Sequence, residues 1–179
     1  MGFTTTSRIH HVMQALDRLR DHPRSQIDRE PPKTEFVEVS CILLREALEH
    51  GIVKRVLFCP VPHSQYVIGA FYPDSRELYF DPHLAVGSWD AAATMTHELG
   101  HAIDRWTGCS ISDNHSGETS ELFKREDTAN LYAVMADPEY QRQHPEQVRW
   151  FCDLLDEHGV PDVLQPDYAI PATARVENR

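Results

Sequence analysis

The 179-residue chain predicts one α+β domain, in which a small β-sheet precedes two helices. Three observations predict it. Short β-branched runs fill the stretch from Ile52 to Asp81. The run from Ser88 to Trp106 has helical period and contains His97-Glu98-Leu99-Gly100-His101. The run from Glu118 to Met135 is helical again and rich in carboxylates.

From the start of the chain, Ile9, Val12, Met13, Leu16 and Leu19 recur at helical spacing behind Ser7 as N-cap, which predicts an accessory helix over Ser7 to Arg20. Asp21 to Lys33 is polar, holds three prolines and reads as a loop, so residues 1–33 stand apart from a domain spanning 34–158. Thr34 to His50 resumes a helix through Phe36, Val39, Cys41, Leu43, Leu44 and Leu48, closed by Gly51. Val53 to Cys59 is a strand ended by Pro60 and Pro62. Tyr66 to Tyr72 and Glu77 to Phe80 form a hairpin that turns at Pro73-Asp74-Ser75. An edge strand of such a sheet could accept an extended peptide by main-chain pairing. Asp81-Pro82-His83 then leads through Gly87 to Ser88, the N-cap of the next helix; His83 stands outside the motif and reads as a surface histidine.

On that helix, residues four apart share a face, so His97 and His101 can reach one tetrahedral Zn²⁺ while Glu98, about 100° round, flanks the metal without binding it. Ala92, Met95, Leu99, Ala102, Ile103 and Trp106 make a coherent core face. His97, His101, Asp104, Asp90 and Thr94 share the other side with the small residues Ala93 and Gly100. Histidines lying off the core face, among small neighbours, predict a cleft wall.

A hydrolytic zinc site needs a third protein ligand and an open fourth position. Glu118, Glu121, Glu126 and Asp127 are candidates, and helical phase selects Glu126: Leu122, Phe123, Ala129, Ala133 and Val134 fall on its side, whereas Glu121 lies opposite, near Lys124 and Thr128. A carboxylate among apolar neighbours must be paired or bind metal, so the competing reading is a buried pair of Glu126 with Arg105 or Arg125. Asp104 is the alternative third ligand. Between the two helices, Thr107 to Gly117 is a loop with the character of a mobile lid. Pro145 to His158, with Val148, Trp150, Phe151, Leu154 and Leu155, is a last helix ended by Gly159, and residues 159–179 form a tail.

Composition narrows the function. A net charge of -11 argues against nucleic acid as a partner, since nucleic-acid surfaces need clustered Lys and Arg. The four cysteines form no CxxC pair, which suggests neither a disulfide framework nor a cysteine zinc site. The first residues lack an apolar signal core, and no stretch approaches the roughly 20 apolar residues of a membrane span, so a cytoplasmic protein without membrane contact is expected.

The motifs resemble known families. HELGHAID with a glutamate on the next helix is similar to the gluzincin zinc metallopeptidases, including the thermolysin and lethal factor branches. The closer likeness is to the ImmA/IrrE family, where a short hairpin precedes HExGH and the glutamate falls in an ExxANxFA pattern. This chain has Glu126-Asp127-Thr128-Ala129-Asn130-Leu131-Tyr132-Ala133, with Tyr for Phe, and the resemblance spans residues 36–136. It departs from the family at Ala91-Ala92-Ala93-Thr94-Met95-Thr96, where a basic residue is usual, and at Val134-Met135-Ala136-Asp137-Pro138, in place of Leu-Met-Pro; no helix-turn-helix is evident. The resemblance implies a compact zincin-like fold of minimal gluzincin type and a zinc-dependent endopeptidase acting on an intracellular protein, in that family commonly a transcriptional repressor. It implies His97, His101 and Glu126 as zinc ligands and Glu98 as general base.

Other roles follow from the expected chemistry. Asp104 and Asn130 are candidates to orient the imidazoles. His115 is the first choice as oxyanion stabiliser, with Tyr132, Tyr140 and His144 as the others. Two further functions fit the same residues: a toxin or effector metalloprotease, and a non-catalytic metal-binding sensor or binding module. The intact Glu98 argues against the last, which has no need of a base.

Overall fold

Helix α1 is described over Pro31–Glu49, so Pro31, Pro32 and Lys33, which the sequence assigns to the preceding loop, belong to the helix. The computed structural model describes residues 31–62, 67–81, 84, 89–115 and 120–168, without the side chains of 31–34, 89 and 115. The predicted accessory helix over Ser7 to Arg20, most of the loop before Lys33, His83 and the Ser88 cap lie outside the described residues. So do residues 169–179.

The protein is mixed α+β and mostly helical, with six α-helices and one three-stranded sheet among the described residues. Helix α1 buries Phe36, Val37, Val39, Leu43, Leu44 and Ala47, and Gly51 takes the left-handed conformation that ends it, at φ +70°. Strands β1 (Arg55–Phe58), β2 (Gly69–Tyr72) and β3 (Glu77–Phe80) follow, the first two shorter than the sequence suggests, the third at the expected bounds, and with the expected hairpin. Their order is β1-β3-β2; β3 is central, parallel to β1 and antiparallel to β2, which leaves β2 on an edge. Glu77, buried in β3, accepts from the Tyr79 hydroxyl and pairs with Arg55 of β1; the Tyr79 hydrogen bond, then Arg55, holds its carboxyl below the usual range against the opposing effect of burial.

Helix α2 (Trp89–Trp106) buries Ala91, Ala92, Met95, Leu99, Ala102 and Ile103, close to the predicted face. Trp106, placed on that face by phase, is 44% exposed, because it falls in the last turn where the chain already swings away. Gly108 and Cys109, both at positive φ, turn it into α3 (Ser110–His115). The expected lid is therefore partly helical. Asp104 Oδ1 accepts the N–H of Ser112, and Ser110 and Asn114 grip the two ring nitrogens of His158, so this segment is pinned to the end of a later helix.

Helix α4 (Glu121–Ala136) corrects the sequence reading most. Its buried residues are Thr128, Ala129, Tyr132, Met135 and Ala136, whereas Leu122, Phe123 and Val134 are 65%, 60% and 42% exposed. The helix packs on α2 through small residues, and that contact, not the count of apolar side chains, sets the buried face. Helix α5 (Pro138–Gln143), which the sequence reading left out, starts with Asp137 capping the Glu139 N–H and proline in the first turn. Helix α6 (Pro145–Glu157) buries Val148, Phe151, Cys152 and Leu155 and leaves Trp150 half exposed. The start of the tail packs back: Leu164 is buried, its carbonyl accepts from Tyr132 Oη at 2.6 Å, and Gln141 donates to the Pro166 carbonyl. Among the described residues no helix is long and apolar enough to cross a membrane.

The α2 and α4 backbones approach most closely at Gly100. A Cβ there would lie 2.8 Å from Ala129 Cα and 3.0 Å from Tyr132 Cβ. Gly100→Ala should therefore destabilise the fold by about 1–3 kcal/mol despite alanine's better helix propensity, read as a lower urea midpoint. An unchanged midpoint would mean that the helices have room to part.

Candidate metal centre

Because Gly100 lets α4 lie against α2, Glu126 from the first half of α4 reaches both histidines. His101 Nε2 is 3.2 Å from His97 Nε2, while Glu126 Oε2 and Oε1 are 3.4 Å from His97 Nε2 and His101 Nε2 respectively. Ligand atoms held about 2.0–2.1 Å from a tetrahedral zinc lie about 3.3 Å from one another, so two imidazoles and one carboxylate at these spacings fit such an ion. The rings stand nearly perpendicular, at 88°, with both Nε2 atoms turned to the same point. His97, His101 and Glu126 are the one group of three or more potential ligands among the described residues.

The exposure of Glu126 corrects the argument that selected it. Its side chain is 44% exposed, not the centre of a buried stripe, and its proximity to the histidines comes from the helix crossing. The alternative pairings fail too: neither Arg105 nor Arg125 forms an ion pair or hydrogen bond with it among the described residues.

Glu98 lies beside the cluster and outside the ligand group, as the motif predicts. It is 8% exposed, and its Cγ is 3.1 Å from where a Cβ on Gly69 would stand, so β2 presses its backbone against this side chain. Burial pushes its carboxyl up to about 7, opposed by a backbone hydrogen bond from Phe71 and reinforced by Glu126. Burial also lowers His101, to about 4, helped by His97 and opposed by Glu126. The imidazole is therefore neutral at physiological pH, the form that binds metal.

The cluster opens into a cleft of about 460 Å³ between β2, the second half of α2 and the start of α4. A second, of about 620 Å³, runs from His97 and Glu98 toward the first half of α2. Asn130 lines this second arm beside His97. Asp104 lines the first and is almost wholly buried, but it is not in the ligand group, so the alternative third ligand is set aside. Tyr132 cannot reach a substrate, because its buried hydroxyl is committed to Leu164. Tyr140 donates to Gln147 and stacks on His144, and neither ring lines either arm. His115 ends α3, and its side chain lies outside what the structure describes. The sequence reading missed that Arg105 and Arg125 line the cleft; the available signal was that Arg105 follows His101 by one helical turn and Arg125 precedes Glu126.

Compared with known protein families, curated proteins and solved structures, the chain matches none.

The Glu98 shift has a sign that can be tested in the metal-free protein. Unfolded, the carboxyl titrates near 4.5; folded, near 7. Below the first value it is neutral in both states. Above the second, only the folded chain bears a desolvated charge, so Glu98 costs stability that accumulates as pH rises from about 4.5 to 7. With a chelator present, Glu98→Gln should be more stable than wild type at pH 8, by on the order of 3 kcal/mol, with the difference closing toward pH 4.5. Urea titrations at the two pH values check this; a pH-independent difference would contradict it.

Proposed function

We propose that this chain is a zinc-dependent endopeptidase of zincin-like, minimal gluzincin fold, in which His97, His101 and Glu126 hold the metal and Glu98 is the general base. The observation that carries the reading is the spacing of 3.2 to 3.4 Å among two imidazole nitrogens and a carboxylate, beside a buried carboxyl raised to about 7. A bound Zn²⁺ supplies a Lewis acid that polarises the scissile carbonyl and brings the pKa of a water down to about 7. Glu98 Oε takes the proton of the attacking water and delivers it to the departing amine nitrogen. Its raised affinity for a proton suits both steps, since the best shuttle titrates near the working pH. Strand β2 is an edge strand of the three-stranded sheet and lies beside Glu98, which takes its Phe71 N–H; its other outward main-chain groups are suited to pair with an extended peptide, which would hold a backbone carbonyl over the metal.

The likeness of HELGH and the Glu126 pattern to the ImmA/IrrE family supports a protein substrate inside the cell, of which a regulatory repressor is one, and a cytoplasmic setting. A toxin or effector protease would use the same chemistry and differ in its target. His115 stays the proposed oxyanion stabiliser on the sequence argument alone.

Purified wild type should contain about one zinc per chain by mass spectrometry, and His97→Ala and Glu126→Ala should lose it. Glu98→Gln should keep the zinc and lose about 10²–10⁴-fold of the hydrolysis of a fluorogenic peptide library. Zinc retention with undiminished hydrolysis in Glu98→Gln would remove the base. A zinc-loaded wild type that cleaves nothing would leave a binding module.

A further inference from the structure

The two arms of the cleft meet at His97 and Glu98 and differ in chemistry. Beyond His97 and Glu98, the arm toward the start of α2 is lined mostly by Val67, Ile68, Ala93, Ala133 and Val134, with Thr94 and Asn130, and by no Lys or Arg among the described residues. The arm toward the end of α2 holds two guanidinium groups, Arg105 and Arg125. Arg45, Arg55, Arg142 and Lys124 each take a carboxylate, whereas the side chains of Arg105 and Arg125, like those of Lys54 and Arg149 elsewhere, have no ion-pair or hydrogen-bond partner among the described residues; what sets Arg105 and Arg125 apart is that both line the cleft. Both residues are exposed, and in a chain of net charge -11 two guanidinium groups lining one arm of a cleft offer an anionic ligand charge-assisted hydrogen bonds there. Glu98, Asp104 and Glu126 line the same arm, and Asp104 already accepts the Ser112 N–H. With a divalent ion on the ligand group, the cations outweigh these three carboxylates by one charge.

The direction of a bound chain follows from the edge strand. Val67 and Gly69 lie beside Ala93 and Thr94, and Pro73 lies in the arm with Arg105, so β2 runs along α2 in the same sense. A peptide added to β2 in the antiparallel sense, the more stable ladder, enters at the arginine arm and leaves along the apolar arm. Resting on the peptidase reading above, we propose that Arg105 and Arg125 bind an acidic side chain of the substrate, so that cleavage is directed to bonds with Asp or Glu at one of the two preceding residues and an apolar residue following.

The test reads binding rather than turnover. Acetyl-Leu-Glu-Glu-hydroxamate and acetyl-Leu-Gln-Gln-hydroxamate present the metal with the same chelator and the arginine arm with different charges. On the zinc-loaded full-length chain the Glu peptide should bind about tenfold tighter at low salt, the effect of one charge-assisted hydrogen bond, and the preference should shrink as salt is raised. Arg105→Gln and Arg125→Gln should each reduce the preference, and the double variant should abolish it while keeping its zinc and its binding of the Gln peptide. Equal binding of the two peptides to wild type, or a preference that survives the double substitution, overturns the acidic subsite and leaves the metal site standing. A wild type that takes up no zinc and binds neither peptide overturns the metal site, and this proposal with it.

Discussion

The contact on which the rest of the structure depends is the close crossing of α2 and α4 at Gly100 and Ala129. Neither helix brings enough ligands by itself: α2 offers two imidazoles one turn apart, and α4 offers a carboxylate on a largely exposed flank. Only when the backbones nearly touch does Glu126 come within 3.4 Å of both Nε2 atoms. A methyl group at position 100 would meet backbone atoms of Ala129, which cannot step aside as a long side chain can. On the neighbouring side of α2, Gly69 brings β2 equally close, with Thr94 Cγ2 2.7 Å from the place a Cβ would occupy. Two glycines thus set both walls of the cleft.

Packing this tight sets the electrostatics. Glu98 lies under β2 with little water around it and near a second carboxylate, so its charged form is disfavoured. His101 is held neutral by the same burial. Two imidazole Nε2 atoms 3.2 Å apart, with two carboxylates alongside, form an arrangement that gains from a cation at its centre. The metal-free fold carries the cost of that arrangement, as functional sites commonly do.

Much of this was legible because it is periodic. The four-residue spacing of His97 and His101 needs only a helix to become a face, and the helix is announced by Ala92, Met95, Leu99 and Ile103. The hairpin was readable from Pro73-Asp74-Ser75 between apolar runs, though not its place beside β1 or which strand would lie at the edge. Glu126 does stand beside both histidines, but the reason for which helical phase singles it out does not hold, since Leu122 and Phe123 point to solvent and Thr128 points inward. Helical phase identifies neighbours on one helix, but which face is buried depends on the partner helix, and here small residues decide it. The short helices α3 and α5 escaped because their signals are caps and local side-chain bonds at Asp104 and Asp137, not apolar period. That Arg105 and Arg125 line the cleft without an ion pair among the described residues is a property of three dimensions alone.

Zinc K-edge X-ray absorption on the zinc-reconstituted chain tests the central claim most directly, because it reports the ligand atoms themselves. The account predicts a four-coordinate ion with two imidazole nitrogens and oxygen ligands at about 2.0–2.2 Å, and no sulfur at about 2.3 Å. A sulfur ligand from Cys41, Cys59, Cys109 or Cys152, or failure of the folded chain to take up zinc at all, would contradict it.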